Sequence, residues 1–217
     1  MTGIKICGLT DPATAVFAAG LGAEYLGMVF APSYRRISAN RASQIAEALD
    51  HLEQRPQLVG VFVHELASEV NRLAGEIPLD IVQLSGDEDE DYMKQIKTPI
   101  IRCVPIGSST RDINTLMKNV PGSGITLLDC RQDSQYGGTG KRFDWDILTN
   151  IDPGSRIMVA GGLTPENVAE LIRHHHPWGV DVSSGVETGG IKDLGKIKAF
   201  VAAVRAASEE GGYDVAR

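Results

Sequence analysis

Basic residues are in short supply: 21 lysines and arginines against 28 aspartates and glutamates leave a formal charge of −7. With no basic surplus to offset phosphate repulsion, the composition argues against nucleic acid and anionic membrane surfaces as partners. Long apolar runs are missing as well. None approaches the ~20 residues a helix needs to cross a bilayer, and Met1-Thr2-Gly3 leads straight into a strand-like run with no signal peptide before it. Cysteine is sparse and odd in number, with Cys7, Cys103 and Cys130 set far apart in or at the ends of apolar runs. That pattern suits free thiols in a reducing compartment, hence the cytoplasm, and not a disulfide framework. A metal site is not indicated either. His174, His175 and His176 are successive positions at a helix end before Pro177, so they point in different directions and suit the helix dipole better than one ion.

What the chain does have is alternation. With 42% hydrophobic and 23% charged residues it can fill a sizeable core. Short β-branched apolar runs recur at 4–7, 25–30, 58–63, 81–84, 100–104, 125–128, 157–160 and 180–182. Between them lie amphipathic stretches at 13–21, 42–52, 66–73, 91–96, 113–117 and 165–174, with a last one at 194–207. Runs apolar on both faces are how parallel strands read. Eight strand–helix units joined by short connections predict a single-domain α/β protein, a (β/α)8 barrel over 1–207 with a frayed tail at 208–217. An open doubly wound sheet is the alternative, but Gly8-Leu9-Thr10 lacks the glycine-rich first turn that such folds use.

Side chains alternate along a strand, so each barrel strand offers one inward and one outward set. Lys5 with Cys7, Gln83 with Ser85, Leu127 with Asp129 and Asp181 with Ser183 share one face, opposite the apolar Ile4 and Ile6, Val82 and Leu84, Val180 and Val182. The polar set is expected to point inward and to converge at the mouth beyond the strand C-termini, where barrels of this type carry their chemistry. Taken singly, Cys7 reads as a small buried hydrophobe and Asp129 as a strand-end cap or a partner of Arg131 or Lys141. Sharing one mouth changes that weighting. A polar glycine-rich loop follows Asp129 at 134–141, without the Lys-Ser/Thr ending of a nucleotide-binding loop. Ala160-Gly161-Gly162-Leu163-Thr164 and Ser183-Ser184-Gly185-Val186-Glu187 follow the seventh and eighth strands, the positions at which such barrels hold phosphate on backbone N–H groups. Arg35 and Arg36 lie just beyond strand two, where a guanidinium fork could take a substrate carboxylate.

In order along the chain, Lys5-Ile6-Cys7-Gly8-Leu9-Thr10, Ser33-Tyr34-Arg35-Arg36-Ile37, Gly60-Val61-Phe62-Val63, Gln83-Leu84, Leu127-Leu128-Asp129, Tyr136-Gly137-Gly138-Thr139-Gly140-Lys141, Ala160-Gly161-Gly162-Leu163-Thr164-Pro165-Glu166-Asn167 and Asp181-Val182-Ser183-Ser184-Gly185-Val186-Glu187 resemble the phosphoribosylanthranilate isomerases of tryptophan biosynthesis. The resemblance implies a cytoplasmic, cofactor-free and metal-free monomer or homodimer that performs an Amadori rearrangement on a phosphosugar. It implies Asp129 as general acid, Cys7 as general base, Arg35 beside the anthranilate group, Asp181 as a further polar contact, and Gly162, Ser184 and Gly185 at the phosphate. The family usually reads Gln-Leu-His-Gly where this chain has Gln83-Leu84-Ser85-Gly86, so any contact of that histidine is in question. The mechanism also sets an electrostatic expectation. Lys5 and a helix N-terminus should lower the Cys7 thiol, while burial or the thiolate raises Asp129. Two other readings compete: another phosphosugar enzyme on the same barrel, and a barrel that binds phosphate esters without turnover. The histidine-pathway isomerase has aspartate where this chain has Cys7, and indole-glycerol phosphate synthase needs an N-terminal extension.

Overall fold

A computed structural model describes residues 1–107, 124–130, 143–151 and 154–210. The expected helix at 113–117, the loop at 134–141, and Arg131 and Lys141 lie outside those residues. Eight parallel strands close into a barrel in sequence order: β1 (Gly3–Cys7), β2 (Tyr25–Val29), β3 (Gln57–Phe62), β4 (Ile81–Leu84), β5 (Ile100–Ile106), β6 (Ile125–Cys130), β7 (Arg156–Val159) and β8 (Gly179–Val182). Outside them lie helices α1 (Pro12–Gly20), α2 (Ala39–Leu49), α3 (Ala67–Glu76), α4 (Glu90–Met93), α5 (Val168–His175) and α6 (Leu194–Glu210). Among the described residues no helix is long and apolar enough to cross a membrane.

Alternation along the strands does what the sequence pattern predicts. Ile4, Ile6, Val82, Leu84, Val180 and Val182 belong to the cluster packed under the helices. A second, inner cluster of Val59, Ile81, Ile101, Cys103, Ile125, Leu127, Met158 and Ala160 fills the barrel, with Tyr25 and Trp178 against it. Tyr25 begins β2 and Trp178 immediately precedes β8, so the apolar plug seals the N-terminal end. Polar inward residues are left for the other end. Barrel closure is parallel between β1 and β8, with Lys5 directly opposite Asp181 in register.

Helix ends show where local chemistry overrides the apolar pattern. Asp11 caps α1 by accepting from Thr14 N at 2.9 Å, with Pro12 at the first helical position. α4 is shorter than the expected 91–96: turns carry the chain through Gln95 and Ile96, where the Asn71 amide donates to Gln95 O and accepts from Lys97 N. The Thr164-Pro165 start yields turns first, and α5 begins only at Val168. Asn167 causes the delay: its side chain accepts from Thr164 N and donates to Gly162 O, each at 2.9 Å, closing a compact loop after β7. At the far end α6 continues to Glu210, three residues past the expected limit of 207. Ser208 is buried there and donates to Val204 O while accepting from Thr2 N. Residues 211–217 lie outside the described part.

Candidate active site

One cavity of about 900 Å³ opens at the C-terminal ends of the strands. Cys7 from β1, Gln83 from β4, Cys103 from β5, Asp129 from β6 and Asp181 from β8 line it together. Arg35, Gly162 and Ser184 line it from the loops. The thiol and carboxyl group that the sequence pairs therefore share one chamber.

At its base sits Lys5, fully buried, with Nζ 2.9 Å from Asp181 Oδ2. Burial disfavours the charged ammonium, but the charges of Asp181 and Cys7 and hydrogen bonds to both outweigh it, so its pKa is raised. Asp129 is pushed up to about 6, first by withdrawal from water and then by the charge of Asp181, against the Cys130 N–H and Lys5. That direction agrees with the expected general acid. The Cys7 thiol departs from expectation. Burial raises it, with Asp181 in support, and Lys5 and Lys192 pull down without winning. In the unliganded site the desolvation of a thiolate thus exceeds the attraction of a lysine already neutralised by Asp181.

Arg35 and Arg36 part company. Arg36 is exposed; its backbone bridges to Val29 and donates to Ser33 O. Arg35 is buried, and its fork lies on Glu187: Nε to Oε1 at 2.8 Å and Nη2 to Oε2 at 3.0 Å. Lys192 Nζ also reaches Glu187 Oε1 at 2.5 Å, and the Tyr34 hydroxyl donates to Oε2 at 3.0 Å. These cations hold Glu187 at about 2, although burial opposes them. Glu187 and Lys192 face each other because Glu187–Thr188 and Ile191–Lys192 form a hairpin. Its turn residues, Gly189 and Gly190, both have positive φ. Sequence reasoning missed this clamp. A Gly-Gly pair between short runs is a two-residue hairpin signal that could have shown Glu187 facing Lys192, though not the reach to Arg35.

The two anion-loop candidates have different geometry. Gly161 and Gly162 have φ of +85° and +65°, left-handed values that suit glycine and let the backbone fold around the cavity rim. Ser184 also lines the cavity, whereas Gly185 does not. A Cβ on Gly185 would fall 1.8 Å from Leu163 O, so this glycine lets the loops after β7 and β8 touch. Ser85, which stands where the resembled family usually has histidine, accepts from Gln83 Nε2 at 3.0 Å. An imidazole reaches the cavity from elsewhere: His64, just beyond β3, lines it and contacts Asp87.

Residues 4–203 match the sequence model of the N-(5'-phosphoribosyl)anthranilate (PRA) isomerase family. The chain belongs to that family. The N-(5'-phosphoribosyl)anthranilate isomerase of Dehalococcoides mccartyi is 44% identical over 207 residues, covering 93% of this chain and 94% of that relative. The crystal structure of the Thermus thermophilus phosphoribosyl anthranilate isomerase superposes with a TM-score of 0.83 at 32% identity, covering 94% of this chain and 99% of that one. A further isomerase of the family, solved in complex with reduced 1-(o-carboxyphenylamino)-1-deoxyribulose 5-phosphate, gives 0.81 at 34% identity over 95% of this chain and all of the other. Family membership covers the whole barrel, so the cavity, the clamp on Arg35 and the rim loops belong to one enzyme fold.

Proposed function

We propose that this barrel converts N-(5-phosphoribosyl)anthranilate into 1-(2-carboxyphenylamino)-1-deoxyribulose 5-phosphate, an aldose–ketose isomerisation in tryptophan biosynthesis, with Asp129 as acid and Cys7 as base. The observation that carries this reading is the meeting of the Cys7 thiol and the Asp129 carboxyl group in one cavity below the loops after β7 and β8. Asp129 gives its proton to the ring oxygen, the C1–O bond breaks, and C1 becomes a protonated imine. The Cys7 thiolate then removes the C2 proton. Its electrons form C1=C2, and the former C=N pair returns to nitrogen as an enolamine. Protonation of C1 and loss of the C2 hydroxyl proton give the ketone and restore both groups.

Asp129 with a pKa of about 6 is a usable acid near neutrality. Lys5 keeps its charge next to Cys7 and lowers the cost of the transient thiolate. Arg35, already oriented by Glu187, would take the anthranilate carboxylate, and Asp181 would contact the sugar. Gly162 and Ser184 would hold phosphate at the rim, where backbone N–H groups bind anions in such barrels. A small phosphosugar is then the partner, in a cytoplasmic monomer or homodimer that needs no metal or cofactor and binds no nucleic acid. The direct test follows loss of anthranilate fluorescence from freshly prepared phosphoribosylanthranilate. Wild type should turn it over, with Cys7→Ser and Asp129→Asn slower by roughly 10²–10⁴-fold, the size of a lost acid or base. An inactive wild type rejects the activity, and near-wild-type rates in both variants reject the assigned roles.

A further inference from the structure

The Gln83 side chain is 4% exposed, lines the cavity from β4, and is only half satisfied. Its Nε2 donates to Ser85 Oγ, which fixes the amide, while Oε1 is buried with no hydrogen-bond partner among the described residues. Gln83 pairs in register with Val61 on β3 and Ile101 on β5, both apolar. Across the barrel, Asp181 Oδ1 on β8 is likewise buried and unpartnered, its other oxygen being held by Lys5. In a closed eight-strand barrel β4 and β8 are opposite staves. Two orphaned acceptors thus face the same cavity from opposite walls. Buried acceptors without donors are rare and costly in a folded protein, and a ligand that donates to them removes the cost.

We infer that Gln83 is a further substrate-contacting residue whose Oε1 accepts a hydrogen bond from a hydroxyl of the ribose chain. The inference rests on the phosphosugar reading given above. Under that reading the substrate's two anionic ends are engaged elsewhere, the carboxylate at Arg35 and the phosphate beside Gly162 and Ser184. What remains over the middle of the barrel is the polyhydroxylated carbon chain. The anilino N–H can satisfy itself on its own ortho-carboxylate, whereas the ribose hydroxyls need outside acceptors. Gln83 and Asp181 would take them from opposite sides and keep C1 and C2 between Cys7 and Asp129.

The test measures binding of reduced 1-(o-carboxyphenylamino)-1-deoxyribulose 5-phosphate, anthranilate and inorganic phosphate to wild type, Gln83→Leu and Ser85→Ala, together with the unliganded melting temperature. Gln83→Leu should bind the reduced product roughly 5- to 150-fold more weakly, the equivalent of about 1–3 kcal/mol. Its affinity for inorganic phosphate and anthranilate should be unchanged. Its melting temperature should hold or rise, because the unpaired acceptor is gone. Ser85→Ala, which loosens the amide but keeps the acceptor, should lose less. A structural glutamine would give the reverse, a lower melting temperature with binding retained, and would overturn the inference while leaving the site reading intact. Weakened anthranilate binding would overturn the assignment to ribose. If wild type itself fails to bind the reduced product, the phosphosugar reading falls and this inference with it. Should Gln83→Leu not fold, Gln83→Met carries the same comparison.

Discussion

Lys5 and Asp181 form a 2.9 Å ion pair between neighbouring strands at the barrel's closing seam, with the lysine out of reach of solvent. The pair lies under both reacting groups. The charge of Asp181 raises Asp129 and Cys7 alike, while Lys5 opposes it on each. Strand closure and acid–base tuning therefore depend on the same two side chains.

Removing one partner should be felt twice. Lys5→Met leaves the Asp181 carboxylate buried without its cation, a change that costs about 3–5 kcal/mol in other buried pairs. Urea unfolding should show a loss of that order. The Cys7 thiol, deprived of its nearest cation, should titrate at still higher pH, read as thiolate absorbance during alkaline titration. A variant of wild-type stability with an unchanged thiol titration would mean that the pair does neither job.

The pH dependence follows from two shifts. Asp129 must be protonated to act, yet its pKa is about 6; Cys7 must be ionised, yet its pKa lies above the ordinary thiol value. Between those two values the reactive combination, acid Asp129 with thiolate Cys7, is a constant minor form. Acidification below pH 6 removes thiolate while Asp129 is already protonated, and alkalinisation beyond the thiol removes the acid form without gaining thiolate. A flat-topped profile of kcat/KM is expected, with its acid limb near pH 6 and its alkaline limb above the ordinary thiol range of about 8.5. Cys7→Asp should bring the alkaline limb down toward that of Asp129 and move the optimum to acid pH. An alkaline limb that stays put in Cys7→Asp would show that residue 7 does not set it.

Stability should respond to Asp129 with the opposite sign. Its folded pKa of about 6 lies above the unfolded carboxylate value of ~3.9, so folding favours the protonated form. Its stabilising effect is complete below the unfolded value and is lost as pH rises through about 6. Asp129→Asn should consequently raise the melting temperature of the unliganded protein at pH 8 more than at pH 4. Equal effects at the two pH values would contradict the raised pKa.

The barrel was legible because its strands carry simple alternation: Lys5 and Cys7 against Ile4 and Ile6 can be placed on two faces without coordinates. Asp129 and Asp181 follow by the same rule. What could not be read was the outcome of competition between terms. The pull of Lys5 on Cys7 is evident from spacing, but whether burial outweighs it depends on the depth of the sulfur and on the prior claim of Asp181 on the lysine. The clamp of Glu187 on Arg35 joins residues 152 positions apart, so no local pattern contains it. The turns after α4 likewise meet a distant side chain, Asn71 on α3.

That clamp yields a kinetic prediction. Glu187→Gln keeps the shape but loses the charge that fixes the Arg35 fork and Lys192. A hydrogen bond to a charged group contributes about 1.5–3 kcal/mol, so KM should rise by ten- to a hundredfold if Arg35 holds the substrate carboxylate. The chemical step, assigned to Cys7 and Asp129, should change much less. An unchanged KM with a depressed kcat would instead place Glu187 in the acid–base machinery.

Gly185 offers a test of the rim that no acid–base argument touches. An alanine Cβ there would lie 1.8 Å from Leu163 O and 3.2 Å from Thr164 Cα, both backbone atoms with no rotamer to yield. The loops after β7 and β8 would have to separate, at a cost in the range of about 1–3 kcal/mol for overpacking. Since Gly162 and Ser184 sit on these two loops and line the cavity, their spacing would widen with them. Gly185→Ala should accordingly weaken binding of inorganic phosphate and ribose 5-phosphate while leaving anthranilate binding near wild type. Gly20→Ala is the control: a Cβ at this α1 position meets nothing within 4 Å, and alanine there should stabilise by about 0.4–1 kcal/mol. Phosphate affinity undiminished in Gly185→Ala, despite a measured loss of stability, would detach the phosphate site from these two loops.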